Sequence, residues 1–232
     1  MLFDIGKMCW NNEILELLNI PEQMLPDVRQ SSGDFGTVSS VGERIPITGV
    51  LGDQQAALFG QACFSEGDSK CTYGTGGFLL SNTGDRRVTS GNGLLATVAW
   101  GIGGKTTYAL EGSIYSTGAA VEWMRDLGLI DTLAQTEDMA KSVPDSGGCY
   151  FVPAFSGLGA PYWDQYARGA IVGVTRGTTR AHLVRAALEA SAYQVDAVIG
   201  AIEDDTGSEI GALKIDGGMS ANDFVAQFQA DL

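Results

Sequence analysis

The sequence predicts an α/β fold built on a mixed sheet, and three observations lead there. Short segments of β-type composition recur along the chain, broken by glycines. Between them lie apolar patterns of helical spacing, most clearly Gly118 to Leu127 and Thr179 to Asp204. Two strand-then-helix units flank a meander of strands, so parallel and antiparallel pairing should coexist in one sheet.

In chain order, Met1 to Ser32 reads as helix and loop: Asn12-Glu13-Ile14-Leu15-Glu16-Leu17-Leu18 has helical spacing and Pro21 opens a short turn. Ile45 to Gly52 is a strand candidate, with Asp53 at its C-terminal end, and Gln54 to Ala62 reads as a helix. Lys70-Cys71-Thr72-Tyr73 and Phe78-Leu79-Leu80-Ser81 form a strand pair joined by Gly74-Thr75-Gly76-Gly77. Two further strands follow, Gly93 to Ile102 and Lys105 to Gly112, then helices at Gly118 to Leu127 and Asp131 to Ser142. Tyr150-Phe151-Val152-Pro153 and Gly169 to Gly173 are strands around a loop rich in glycine, proline and aromatics. Thr179 is placed to N-cap the long helix that runs to Asp204. Ala212 to Asp216 is a strand, and Gly217 to Asn222 turns it into a closing helix.

The 232 residues suggest one or two domains, at roughly 150 residues each. A formal net charge of −14 argues against nucleic acid and against anionic membrane surfaces as partners. It leaves a nucleotide open, because backbone N–H groups bind phosphate locally. The four cysteines, Cys9, Cys63, Cys71 and Cys149, form no C-x-x-C pair and read as free thiols of a reducing compartment. With His182 the only histidine, a zinc site has little support, and no metal ligands are assigned. The start has no secretory pattern, and no apolar run reaches the roughly 18 residues of a membrane span. The expected location is cytoplasmic. Both ends read as cut: Ala230-Asp231-Leu232 falls inside a helical pattern, and no strand or nucleotide loop precedes Met1. Naturally short termini are the alternative.

Three motifs can carry chemistry. In Gly52-Asp53-Gln54-Gln55, an aspartate beside a helix start can take a proton from a hydroxyl nucleophile, as phosphoryl transfer requires, and Gln54 can bond a second hydroxyl. Taken alone, such an aspartate is more often a helix cap. In Thr72-Tyr73-Gly74-Thr75-Gly76-Gly77-Phe78, small residues let backbone N–H groups and the Thr75 hydroxyl approach a phosphate, although an ordinary glycine hairpin reads the same way. In Asp216-Gly217-Gly218-Met219-Ser220-Ala221-Asn222, Gly218 permits close approach of a nucleoside and Asn222 offers an amide; a plain strand-to-helix turn is the alternative. Gly101 to Thr106 imitates a P-loop, but Ala99 stands where the first glycine is required and strands follow. A Ser-His-Asp hydrolase is disfavoured too, since no G-x-S-x-G is present and His182 reads as a helix-surface residue.

In this order the three motifs resemble the glycerol kinases of the FGGY carbohydrate kinase family, which have the actin-like (ribonuclease H-like) ATPase fold. Gly52 to Gln61, Thr72 to Phe78, Ala109 to Gly112, Val152 to Asp164, Ala167 to Gln194 and Ile215 to Gly218 all look like segments of that family. The resemblance implies ATP-dependent phosphorylation of glycerol with Mg²⁺. Asp53 then matches the catalytic base, Gln54 a glycerol ligand and Phe78 the aromatic against the glycerol carbons. Thr75, Gly118, Glu122, Gly218 and Asn222 match nucleotide contacts.

The resemblance further implies that residues 1–61 are the tail of a substrate domain and residues 62–232 most of a nucleotide-binding domain. The chain is then an incomplete piece, inactive alone, of an enzyme expected to be a homo-oligomer. Two departures stand out: Glu122 replaces a common glutamine, and Ser39 to Arg44 lacks the glycine-rich stretch that binds fructose 1,6-bisphosphate in regulated relatives. A kinase for another polyol or ketose, and a non-catalytic nucleotide-binding fragment, are the alternatives.

Overall fold

A computed structural model describes residues 2–40, 42 and 44–232; Val41 and Glu43 of the Ser39–Arg44 loop lie outside the described residues. The upstream segment is made of small pieces. β1 (Phe3–Asp4) pairs with β2 (Cys9–Trp10) in a ribbon, and α1 (Asn12–Leu17) follows, capped by the Asn11 side chain, which accepts the Ile14 N–H at 3.1 Å. β3 (Thr37–Val38) pairs with β4 (Ile45–Pro46). Among the described residues before α2 (Asp53–Gly60), Leu15 alone is buried.

Here the expected strand from Ile45 to Gly52 is corrected to two residues. Pro46 has no N–H to give a ladder, and the next amides bond an irregular neighbour instead. Ile47 N–H donates to Gly36 O at 2.8 Å and Val50 N–H to Ser31 O at 2.9 Å. The first of the two expected strand-then-helix units is therefore a loop-then-helix unit.

The centre is a five-stranded sheet in the order β11-β5-β6-β8-β7. β5 (Ser69–Tyr73) and β6 (Gly77–Gly84) form the expected tight hairpin, and β7 (Leu95–Ile102) and β8 (Lys105–Ile114) the second. α3 (Gly118–Asp126) and α4 (Gln135–Lys141) come next, then the small ribbon of β9 (Tyr150–Val152) and β10 (Ala170–Val172). α5 (Arg180–Thr206) crosses the sheet, β11 (Leu213–Asp216) joins β5 in parallel, and α6 (Asp223–Asp231) closes the chain. The sheet is mixed, as the pattern of elements required.

Both faces of this sheet are covered. Successive residues of a strand point to opposite faces, so Leu79 packs under α3 and α5 while Leu80 packs under α2, and both are fully buried. The first face is the larger core, where Leu110, Met124, Leu188, Val195 and Val198 meet. The second holds Leu58, Cys63, Leu80, Ala99 and Ala109.

Two more readings change. α4 begins at Gln135 rather than Asp131, because Asp131 N–H turns to Gln135 Oε1 at 2.9 Å and the Thr136 hydroxyl to Leu133 O at 2.7 Å. His182 is more than a surface residue. It completes a capping box with Thr179, accepting the Thr179 N–H on Nδ1 at 3.0 Å.

Candidate active site

The turn after β5 is docked on the start of α3. Gly118 N–H donates to Gly74 O at 3.0 Å, Ala119 N–H to Thr75 O at 3.0 Å, and the Thr117 hydroxyl to Gly74 O at 3.0 Å. The approach is close enough to require glycine: a Cβ on Gly118 would sit 2.5 Å from Gly74 O. Opposite, β11 ends at Gly217, whose φ of +87° turns the chain into a 3-10 turn, Gly218–Ala221. Here too a side chain is excluded, since a Cβ on Gly217 would lie 2.4 Å from Tyr73 O.

Between these turns opens a cleft of about 440 Å³. Thr75, Gly118, Glu122, Gly218 and Asn222 all line it, so five residues from three segments converge on one space. Val121, Leu133, Leu188 and Met219 supply apolar wall, and Thr136 and Glu137 reach in from α4. A Cβ on Gly218 would meet nothing within 4 Å, so the glycine leaves room rather than avoiding a clash. An apolar slot that opens beside the small turn of Gly74 and Thr75 suits a nucleoside with phosphates at that end.

Asn222 has a second role there. Its Oδ1 accepts the Val225 N–H at 3.1 Å, capping α6, and its Nδ2 donates to Thr136 Oγ1 at 3.2 Å. One amide hydrogen remains for a ligand. Glu137 is held by Lys141 and by the Asp223 N–H at 3.1 Å; the bond from Lys141 keeps its carboxyl below the usual range.

Asp53, Gln54 and Phe78 do not line this cleft. They gather at the start of α2, on the other face of the sheet. Asp53 is the first residue of α2, exposed, while Gly52 holds the cap position, and the helix has no side-chain cap bond. Asp53 is therefore not spent as a cap. Its Oδ2 accepts from Gln54 Nε2 at 3.2 Å. Phe78 is half-buried against the smaller core.

Sequence reasoning missed the residue that joins this group. Lys70 is fully buried, and its ammonium donates to Gln54 Oε1, to Thr72 Oγ1 at 2.8 Å and to Phe78 O at 3.4 Å. Burial holds its pKa below the ordinary lysine value; the carboxylates of Asp216, Glu111 and Asp53 work the other way. Strand register explains the meeting. Lys70, Leu80 and Glu111 lie in one row across β5, β6 and β8, and Asp216, Thr72, Phe78 and Ser113 in the next. In-register partners share a face, so the second row runs from the end of β11 to β8 beneath α2. Burial pushes the Glu111 carboxyl up, with Lys70 opposing. Gln61 Nε2, just past α2, donates to Asp216 Oδ2 at 3.0 Å, joining the Asp53 side to the strand that enters the cleft. A lysine between Ser69 and Cys71 in a strand of otherwise apolar or small residues was the available signal.

Comparison with known proteins fits this geometry. The C-terminal domain of the FGGY family of carbohydrate kinases matches residues 69–232, and its N-terminal domain matches residues 1–60. Glycerol kinase 2 of Sulfolobus acidocaldarius is 60% identical over the whole of this chain, and glycerol kinase 2 of Thermotoga maritima 58% identical. In each case the chain covers 47% of the relative, so it spans about half the length of the curated proteins it matches. The crystal structure of Plasmodium falciparum glycerol kinase with ADP superposes with a TM-score of 0.90 at 41% identity, over 99% of this chain and 47% of that one. A xylulose kinase structure from Lactobacillus acidophilus, at 24% identity, TM-score 0.83 and coverage of 99% and 48%, shows the shared fold alone. The architecture is that of the actin-like ATPase fold, present in part. Since the C-terminal domain match by itself takes in well over half of the residues, the chain belongs to the FGGY family of carbohydrate kinases.

Proposed function

We propose that this chain carries the nucleotide cleft and the catalytic base of an ATP-dependent glycerol kinase. The observation that carries the reading is the convergence of Thr75, Gly118, Glu122, Gly218 and Asn222 on one cleft, with Asp53 and Gln54 paired at the start of α2. The names of the relatives and the ADP in the Plasmodium structure support it. In this reading the adenosine lies between Gly218 and the apolar wall, and the phosphates face the Gly74–Thr75 turn. Asp53 accepts the proton of a terminal glycerol hydroxyl as its oxygen bonds the γ-phosphorus and the bond to the ADP oxygen breaks. Gln54 and Phe78 hold the polyol.

Among the described residues, no group of three or more His, Cys, Asp or Glu side chains could hold a metal ion. Mg²⁺ is taken, on the family resemblance, to enter with the nucleotide as MgATP. Residues 1–61 are read as the tail of the substrate domain and 62–232 as most of the nucleotide domain, supported by separate domain matches at 1–60 and 69–232. We extend the reading to a cytoplasmic homo-oligomer, on the family resemblance; no described helix is long and apolar enough to cross a membrane. Because the relatives are about twice as long, this chain alone is expected not to turn over.

The test is a coupled assay of glycerol 3-phosphate formation by the complete protein. Asp53→Asn should lower kcat about 10²- to 10⁴-fold, the usual contribution of a positioned general base, while calorimetry finds ATP binding intact. Near-normal turnover in that variant would refute the assigned role.

A further inference from the structure

We infer that Lys70 is a positioning residue for the Asp53 site: its ammonium fixes the Gln54 amide with the carbonyl inward and the N–H groups toward Asp53 and the polyol. The inference rests on the phosphorylation reading of that site and adds a residue to it.

An ammonium has three hydrogens and no acceptor. Lys70 has three acceptors in reach: Gln54 Oε1, Thr72 Oγ1 and Phe78 O. All its hydrogens are engaged, so none is left for substrate, and the side chain is fully buried. Lys70 therefore acts through its neighbours. The orientation of a glutamine amide follows from its partners. With Oε1 facing a cation, Nε2 must face outward, and there it donates to Asp53 Oδ2 at 3.2 Å. Its second hydrogen is then a donor to a substrate hydroxyl oxygen. The flipped amide would set Nε2 against the ammonium and a lone pair against the Asp53 carboxylate, two repulsive contacts in place of two attractive ones.

The same cation fixes the backbone of Phe78, the aromatic of the site, through its carbonyl at 3.4 Å. One buried charge thus ties α2, β5 and β6 together where the polyol is held. Stability alone does not explain such a group: a buried charge costs desolvation, and well-packed apolar replacements are often no less stable.

The experiment uses the complete protein. Lys70→Met should lower kcat about 10²-fold, the scale of a small misplacement of a reacting group, and leave ATP affinity by calorimetry unchanged. In a Gln54→Leu background, Lys70→Met should cost nothing further, because both changes break one relay. An equal loss in both backgrounds, or unchanged turnover in Lys70→Met, overturns the inference. Should Lys70→Met not fold, Lys70→Gln removes the cation facing Gln54 Oε1 while keeping an amide donor in the same space. Loss of turnover there supports the relay, and full turnover overturns it. A further readout is independent of activity. The Gln54 side-chain amide resonances should be protected from exchange in the wild type and solvent-like in Lys70→Met; identical signals in both overturn the inference. Wild-type protein that phosphorylates no glycerol would refute the functional reading instead, while the amide signals still decide the role of Lys70.

Discussion

Arg185 is the residue on which the helices behind the cleft depend, and truncating it should be among the most costly single changes in the chain. Its Nε donates to Glu189 Oε1 at 2.7 Å, with side-chain exposures of 15% and 6%. Its Nη1 donates to Val143 O at 2.7 Å and to Ala140 O at 3.3 Å, and its guanidinium lies 5.0 Å from the Phe224 ring centre. One side chain therefore joins α5, the end of α4 and the start of α6. Arg185→Met leaves the Glu189 carboxylate buried and uncompensated, a loss of about 3–5 kcal/mol. The carbonyl bonds and the cation–π contact are of order 1 kcal/mol each, and are not simply additive. Arg185→Met with Glu189→Met removes both charges and should recover most of that loss, leaving about 1–3 kcal/mol for the carbonyls without donors. Urea unfolding of the two variants and the wild type measures this. An Arg185→Met loss below about 1 kcal/mol, the range of exposed pairs, would refute the reasoning. So would a double variant less stable than the single one.

Gly118→Ala tests the docking of the phosphate turn. Alanine favours a helix by about 1 kcal/mol over glycine, yet its Cβ would fall 2.5 Å from Gly74 O, so the contact must open. The expected result is ATP affinity weaker by about tenfold, or about 1.4 kcal/mol, read by calorimetry; unchanged affinity would count against the cleft as the nucleotide site. Asp205 predicts a pH dependence. Burial works to raise its pKa but is outweighed by bonds from Ser90, Gly91 and Asn92, so the folded value lies below the unfolded one. Its stabilisation is thus present above the unfolded carboxylate value, about 3.9, and is lost as pH falls through the folded value. Asp205→Asn should cost about 1–2 kcal/mol at neutral pH, reduced by partial exposure, and should flatten the acid limb of urea midpoint against pH.

Much of this was legible in the sequence because it is local. The β5–β6 hairpin, α3 and the Thr179 cap each follow from period, glycine placement or cap chemistry within a few residues. The cleft residues were legible as motifs, but their convergence depends on β11 pairing with β5 across more than half the chain. The Ile45–Gly52 segment misled because a strand-like composition does not reveal that its bonding partner is an irregular loop. Lys70 was missed for a related reason. Alternation places it opposite Cys71, but whether that face meets solvent or a helix depends on α2, which no pattern within β5 reports. Asn222 was read for its ligand amide, although an asparagine before Asp223-Phe224-Val225 is also a cap signal, and the structure uses it so.

The position of β11 has a bearing on handling the molecule. It is an outer strand, and among the described residues no other strand pairs with it on the side away from β5. A row of backbone N–H and C=O groups left open at a sheet margin is adhesive toward any extended chain. Its lysine is no guard, because the Lys214 ammonium is turned inward to the carbonyls of Gln61 at 2.8 Å and Ala62 at 3.0 Å. Material of this length, prepared by itself, should therefore self-associate through that margin with rising concentration, which light scattering would read.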